Sequence, residues 1–419
     1  YNRNGDQNLE FKNHSNNSPK HIVLMSRGGP DSTIIDCGGD ETAFDISHGT
    51  DTTLQIIGFN IINGWGQGPS YGAAINIKGY NVGGQSPNSQ AVFQNCIIED
   101  NDGHGPTVYI EGGMGIFRDC VIRNNRREYD NDVNNPSYEI PGGAFSVASQ
   151  NFGDQAGYNI GVLVLDRSKV LSNFLDNTDT GSMGVELKGA GIRVNEAWAI
   201  ISNSLIADNY FTGTSTSWSR GAGISVYNGS IALINSTVSG NEGFTGNYGS
   251  GLIVNNDWSD FEGFSRDLII LNSIIADNTP GTDQLFIGNP WNADNYTDYM
   301  EMSNSIFENG SGESWFDPDD GHYDFDPLFA DTNYVLSEYS RAIGLGGTSI
   351  EDSDGNDISA PSVDILGDLR PNPAGSNPDL GAYEHELASF RRVVYYVDDA
   401  IGSDSNDGLS TAAAVKTIA

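Results

Sequence analysis

Apolar and polar residues alternate along most of this chain in short runs, and the runs are of two kinds that follow each other in turn. The first kind has alternating apolar positions, a polar residue, Asn or Asp, then Cys or Ser, an apolar pair, and a closing Asn. It reads "AVFQNCIIEDN" (91–101), "GIFRDCVIRNN" (115–125), "AIISNSLIADN" (199–209), "IALINSTVSGN" (231–241), "LIILNSIIADN" (268–278) and "MEMSNSIFENG" (300–310). Looser copies are "LQIIGFNIING" (54–64) and "VLVLDRSKVLSN" (162–173). The second kind is glycine, a small residue, then apolar-x-apolar. It reads "GAAINIKG" (72–79), "GPTVYIEGG" (105–113), "GGAFSVAS" (142–149), "GAGIRVNE" (189–196), "GAGISVYN" (221–228) and "GSGLIVNN" (249–256). A period of two is the signature of a strand, and no 3.6-residue period is sustained.

The closing asparagines fall at Asn101, Asn125, Asn173, Asn209, Asn241 and Asn278, at steps of 24, 48, 36, 32 and 37 residues. A short coil with loops of variable length inserted gives such spacing. Strands this short and this far apart do not close hairpins; they stack coil upon coil, which makes a solenoid. Strands are expected near 73–77, 107–111, 192–195, 223–227 and 251–254, in register in one parallel sheet at a spacing of ~4.8 Å. The repeated Asn belongs at a turn, where left-handed backbone is tolerated. Stacked at one corner, its amide can bond the next, so these residues are read as structural.

Composition narrows the field. Asp and Glu number 56 against 20 Lys and Arg, a formal charge of -36. Nucleic-acid binding needs a basic footprint and is excluded as a partner class. Glycine is abundant at 52 residues and the apolar share is 37%, which favours many turns around a thin core. No apolar run approaches the ~18 residues of a membrane-spanning helix. Residues 1–12 already read as strand and turn, so any targeting segment is expected outside this sequence. Three cysteines leave at least one thiol unpaired. Cys96 and Cys120 occupy equivalent repeat positions, stacked inside as reduced thiols or, alternatively, joined as a disulfide.

Taken in order, the repeats resemble the right-handed parallel β-helix of the pectate-lyase-like superfamily, over roughly 33–310. "DPLFADTNYVLSEYSRAIGLG" (326–346) resembles the closing segment of bacterial surface proteins of this kind, departing from it at Arg341 and Gly344. "DILGDLRPNPAGSNPDLGAYEHE" (364–386) resembles their final capping motif, with Arg370, Asp379 and Glu384 expected as an ionic cluster. "YYVDDAIGSDSNDGLSTAAAVKTIA" (395–419) resembles the usual start of such a β-helix, with a strand, a polar loop and the entry to a cap helix. The division expected is therefore an all-β solenoid with its cap over 1–386, a linker at 387–392, and a start-like segment at 393–419. That segment is a tandem unit, a donor to a neighbouring copy, or a start recorded last. As a donor, Tyr395, Tyr396, Val397 and Ile418 would bury against the coil holding Leu9 and Phe11.

Candidate chemistry lies in two places. "DSDGND" sets Asp352, Asp354, Asn356 and Asp357 around Gly355, which resembles a calcium loop without the distal Glu of an EF-hand. The stretches 317–326 and 402–408 are weaker versions. On the second kind of repeat, Ile and Val point inward, so Lys78, Tyr109, Glu111, Arg193 and Tyr227 should form an outward strip suited to sugar hydroxyls and carboxylates. A lyase needs a base beside a uronate carboxylate; Arg193 or Lys78 could serve, and Glu111 could act as an acid in hydrolysis. Against this, the overall charge repels polyuronate. His104 and His322 fall in turns and are expected exposed. Trp65, Trp218, Trp258, Trp291 and Trp315 fall in or beside loops, to stack on sugars or to cover the ends of the core. The expectation is an extracellular or surface-displayed structural and adhesive protein that assembles with copies of itself, with polysaccharide as a further partner. A carbohydrate-active lyase or hydrolase is the alternative.

Overall fold

Each repeat of the first kind is two strands, not one, because the chain bends at its centre. The residue before the Cys or Ser has positive φ in seven successive coils: Asn95, Asp119, Arg167, Asn203, Asn235, Asn272 and Asn304, with φ from 44° to 55°. Asn and Asp adopt this conformation at low cost; Arg167 does not share that advantage. Its guanidinium instead holds Asp119 at 2.8 Å and Asp166 at 2.8 Å.

The computed structural model describes residues 9–12, 21–47, 50–79, 89–129, 139–151, 158–178, 186–214, 219–244, 250–256, 267–280, 284–288, 300–392, 394–406 and 410–417. Among them, nine coils each give one strand to three parallel sheets. Sheet 1 runs from Leu9–Lys12 to Leu285–Gly288, and sheet 2 from Val23–Met25 to Met300–Ser303. Sheet 3 runs from Ile34–Asp36 to Ser305–Phe307 and takes His322–Tyr323 as a tenth strand. The fold is all-β, a parallel β-helix. The strands expected in sheet 1 are Ile75–Lys78, Val108–Glu111, Ile192–Asn195, Ile224–Tyr227 and Leu252–Asn255. They stack in parallel, with Phe145–Ala148 between the second and the third.

Register puts like on like inside. Ile75, Val108, Phe145, Ile192, Ile224 and Leu252 form one fully buried row of sheet 1. Phe93 and Phe117 stack at 5.0 Å, 7° from parallel.

The asparagine ladder expected from the repeats is present. Asn125 Nδ2 donates to Asn173 Oδ1 at 2.8 Å, Asn173 to Asn209 at 3.0 Å, Asn209 to Asn241 at 2.9 Å and Asn241 to Asn278 at 2.8 Å. Gln284 seals the far end, its Oε1 accepting Asn278 Nδ2 at 2.7 Å. A second ladder was not foreseen. The Cys/Ser position carries it, with Ser168 N–H donating to Ser204 Oγ, Ser204 to Ser236, Ser236 to Ser273 and Ser273 to Ser305 at 3.0–3.2 Å. Cys96 and Cys120 sit at this same corner as free, buried thiols.

The segments that resemble closing and capping motifs pack against sheet 3. Apart from the hairpin Ser349–Ser359, whose Ile350 borders Met300 and Met302, residues 326–388 run back along the outside of sheet 3. Leu336, Ala342, Ile343 and Leu380 pack on Ile274, Ala276 and Ile306, while Ile365, Ala382 and Tyr383 reach Leu205 and Ala207. Backbone and amide groups fasten this brace, as in Gly347 N–H to Asn272 Oδ1 at 2.7 Å and Ala382 N–H to Thr237 Oγ1 at 3.0 Å. Arg370 and Glu384 form the expected ion pair at 3.2 Å, both side chains fully buried. Asp379 joins through backbone groups, accepting from Gly344 and His385.

Trp315 and Phe316, partly buried, cover the core end itself. His322 is buried at 5% exposure, which corrects the expectation of an exposed turn residue. It accepts from Asp317 N–H at Nδ1, 2.9 Å, and its Nε2 lies 3.0 Å from the Met302 carbonyl oxygen. Trp218, Trp258 and Trp291 lie outside the described residues.

In the start-like segment, Val397 bridges Val415 in parallel, and no helix forms within 410–417 beyond the 3-10 turn Thr411–Ala413. Tyr395 is 64% exposed and Leu9 44%, so within one chain the two do not cover each other. Ile418 lies outside the described residues.

Candidate functional site

The outer row of sheet 1 is only in part an exposed strip. Tyr109 is 7% exposed and Arg193 2%, so neither is offered to a polymer in solvent. Arg193 Nη1 donates to Ser225 Oγ at 2.9 Å and its guanidinium stands 5.5 Å from the Tyr227 ring. Burial pushes the Tyr109 phenol up to about 12. The sequence missed this covering because alternation shows which face a side chain takes. It does not show what lies above that face. The segments between sheets 3 and 1 form further parallel ladders, Arg126–Tyr129 with Phe174–Asn177 and Tyr210–Gly213, and a satellite core holds Leu175, Leu187 and Phe211.

Toward the first coils the row opens. Lys78 Nζ donates to the Ser70 carbonyl at 2.8 Å and stands 3.9 Å above the Tyr71 ring and 5.3 Å from that of Tyr109. Burial lowers its pKa, with Glu111 and Asp45 acting in the opposite sense. Beside it lies a cleft of about 150 Å³ lined by Asp40, Glu41, Asp45, Trp65, Tyr71 and Asn76. Trp65 also walls a second recess of about 560 Å³, with Asp36, Asp100 and Asp102. The Trp65 ring is held from behind, edge-on to His104 at 5.4 Å. Its backbone pairs with Asp102 and donates to the Glu41 carbonyl at 3.0 Å. Tyr71 is 54% exposed. The combination is two aromatic faces with carboxylates at their rim. Aromatic faces take the C–H side of an apolar or sugar ring, and carboxylates accept hydrogen bonds from hydroxyls. Of the expected strip, Lys78 reaches this cleft through the Tyr71 ring. Arg193 and Tyr227 lie three and four coils beyond Lys78.

The candidate calcium loop is the turn of an antiparallel hairpin, Ser349–Glu351 with Asp357–Ser359. Asp352 Oδ1 accepts Asp354 N–H at 3.0 Å, Asn356 N–H at 2.7 Å and Asn356 Nδ2 at 3.1 Å. Those bonds hold the Asp352 carboxyl below its ordinary pKa, Asn356 contributing most. Asp354 and Asp357 are exposed. Among the described residues no three acidic, histidine or cysteine side chains come close enough to hold a metal ion. The turn chemistry alone accounts for these residue types at this spacing.

No known protein family and no curated protein matches this chain. Among the described residues, no helix is long and apolar enough to cross a membrane.

Proposed function

We propose that the protein is an extracellular, surface-displayed adhesive β-helix that holds saccharide in the cleft between Trp65 and Tyr71. The cleft itself carries this reading: two aromatic side chains and three carboxylates line one opening beside sheet 1. The acidic balance of the whole chain favours neutral sugars over polyuronates. The resemblance to pectate-lyase-like β-helices supports a carbohydrate partner and leaves the reaction open. Titration calorimetry with neutral oligosaccharides tests it. Trp65→Ala should weaken binding about tenfold, the value of one aromatic contact of ~1–1.5 kcal/mol. Equal binding by parent and variant, or none by either, would overturn it.

Self-association is part of this proposal. Leu9 in the first coil is 44% exposed, and Tyr395 and Val397 are 64% and 44% exposed. Apposing the two sets between copies buries both, head to tail, and such a contact propagates unless its rotation closes a ring. Light scattering across a concentration series tests this, with Tyr395→Ser expected to reduce the assembled mass.

The alternative reading, a lyase, rests on Lys78. A lysine whose pKa is lowered by burial is a candidate proton acceptor. Release of unsaturated product from polyuronate, lost in Lys78→Met, would favour it over adhesion.

A further inference from the structure

A second cavity, far from Trp65, lies where the core ends. Met300 and Met302 are in register with Leu268 and Ile270, so they continue the inward row of sheet 2 into its last coil, and Glu301 between them takes the outer face. The segment after sheet 3 folds over them. Trp315 meets Phe307 edge-on at 5.2 Å and Phe316 meets His322 edge-on at 5.7 Å. His322 fixes this roof. Since its Nδ1 accepts from Asp317 N–H, its Nε2 carries the proton that goes to the Met302 carbonyl.

Between floor and roof is a space of about 460 Å³ bordered by Met300, Met302, Trp315, Phe316 and Ile350, with Glu301, Asp317 and Asp320 at its rim. That volume lies in the range of small-molecule sites. Among the described residues, no Lys or Arg lines it. Asp267, Glu351 and Asp352 add their charge to that of Asp320 around Glu301. The carboxylates do not converge on one point, as a metal would require. They are spread about an apolar, aromatic and thioether-lined hollow. The complement of that arrangement is an elongated molecule with a hydrocarbon body and separated positive groups. Ammonium groups are attracted to indole faces, and thioethers adapt to methylene chains.

We propose that this end cavity binds a linear organic polycation of the polyamine class. Its methylenes would lie on Met300, Met302, Trp315 and Phe316, and its ammonium groups would meet Glu301, Asp317 and Asp320. The proposal is independent of the saccharide cleft.

Calorimetry of the full chain with spermidine at about 0.15 M salt tests it, where unspecific attraction is screened beyond ~8 Å. A saturable one-to-one site is expected. Glu301→Gln and Asp320→Asn should each weaken it several-fold, and Trp315→Leu about tenfold. Asp399→Asn, on the exposed segment near the end of the chain, should change nothing. Thermal melting of each variant shows whether it folds, and the two carboxylate variants remain decisive should Trp315→Leu unfold. Trp65→Ala should bind spermidine as the parent does, which separates this site from the saccharide cleft. Absence of saturable binding would overturn the proposal. So would equal weakening by Asp399→Asn, which would mean diffuse attraction to an acidic surface, or full competition by an equal concentration of calcium.

Discussion

Replacing Asn173 by Ala should be among the most destabilising single changes in the molecule, although it removes almost no apolar surface. Asn173 is fully buried. Its Oδ1 accepts from Asn125 N–H at 3.2 Å and from Asn125 Nδ2 at 2.8 Å. Its Nδ2 donates to the Ile122 carbonyl and to Asn209 Oδ1, each at 3.0 Å. Alanine leaves the Asn125 backbone N–H without its partner, while Asn125 Nδ2 keeps the Ile98 carbonyl at 3.0 Å and the Ile122 carbonyl keeps its place in the sheet-3 ladder. Asn209 Oδ1 keeps the backbone N–H of residue 173, at 3.1 Å. An orphaned buried polar group costs ~1–3 kcal/mol, so this one, with the two groups that each lose one of two partners, costs about 2–3 kcal/mol. Positive φ falls on Ser172 and not on Asn173, so alanine adds no backbone strain there. Urea titration at constant slope measures the loss. Asn125→Ala should behave alike, orphaning Asn101. The double variant should cost about 1–2 kcal/mol less than the sum, because one set of orphans disappears with Asn125. A loss below about 1 kcal/mol, or strict additivity, would refute the claim that the ladder holds the corner.

Three further outcomes are expected. Burial raises Asp379 to about 7, above its ordinary 3.8; a carboxyl raised on folding stabilises fully below about pH 4 and loses that contribution as pH climbs through 7. Melting temperatures at pH 5 and pH 8 should therefore differ more in the parent than in Asp379→Asn, and an unchanged difference would remove the argument. The three thiols are buried and burial pushes Cys37 up to about 12, so a thiol reagent should label none until the protein unfolds; labelling of Cys96 or Cys120 in the folded state would contradict the stacked corner. If Asp352, Asp354 and Asn356 hold calcium, chelator should lower the melting temperature and Asp354→Ala should abolish that drop; equal melting with and without chelator would remove calcium from that loop.

Much of the fold was legible because it is local and repeated. Asn101 and Asn125 declare the corner, and the glycine-led runs declare sheet 1. The bend inside "FRDCVI" was legible too, had Asp119 been read as a left-handed residue and not as a polar interruption. What escaped depends on contacts remote in sequence. Nothing in "GAGIRVNE" tells that Arg193 is covered, and nothing in "GAYEHE" tells that it packs beside Thr237 and not over Trp315. His322 looked like a loop histidine because its partners, the Asp317 amide and the Met302 carbonyl, are backbone groups with no sequence signature. The cleft at Trp65 is half legible: the tryptophan was singled out, its acidic neighbours Asp40, Glu41 and Asp45 were not.

The brace along sheet 3 has a mechanical consequence. It touches the coils holding Lys169–Leu171, Leu205–Ala207, Thr237–Ser239, Ile274–Ala276 and Ser305–Phe307. A solenoid coupled only to its neighbours can unspool one turn at a time. Here the later five coils are lashed together lengthwise, like planks under a batten, and the first four are not. A pull on the two ends should peel the leading coils singly at low force, then stall at the batten until the remaining five give way together.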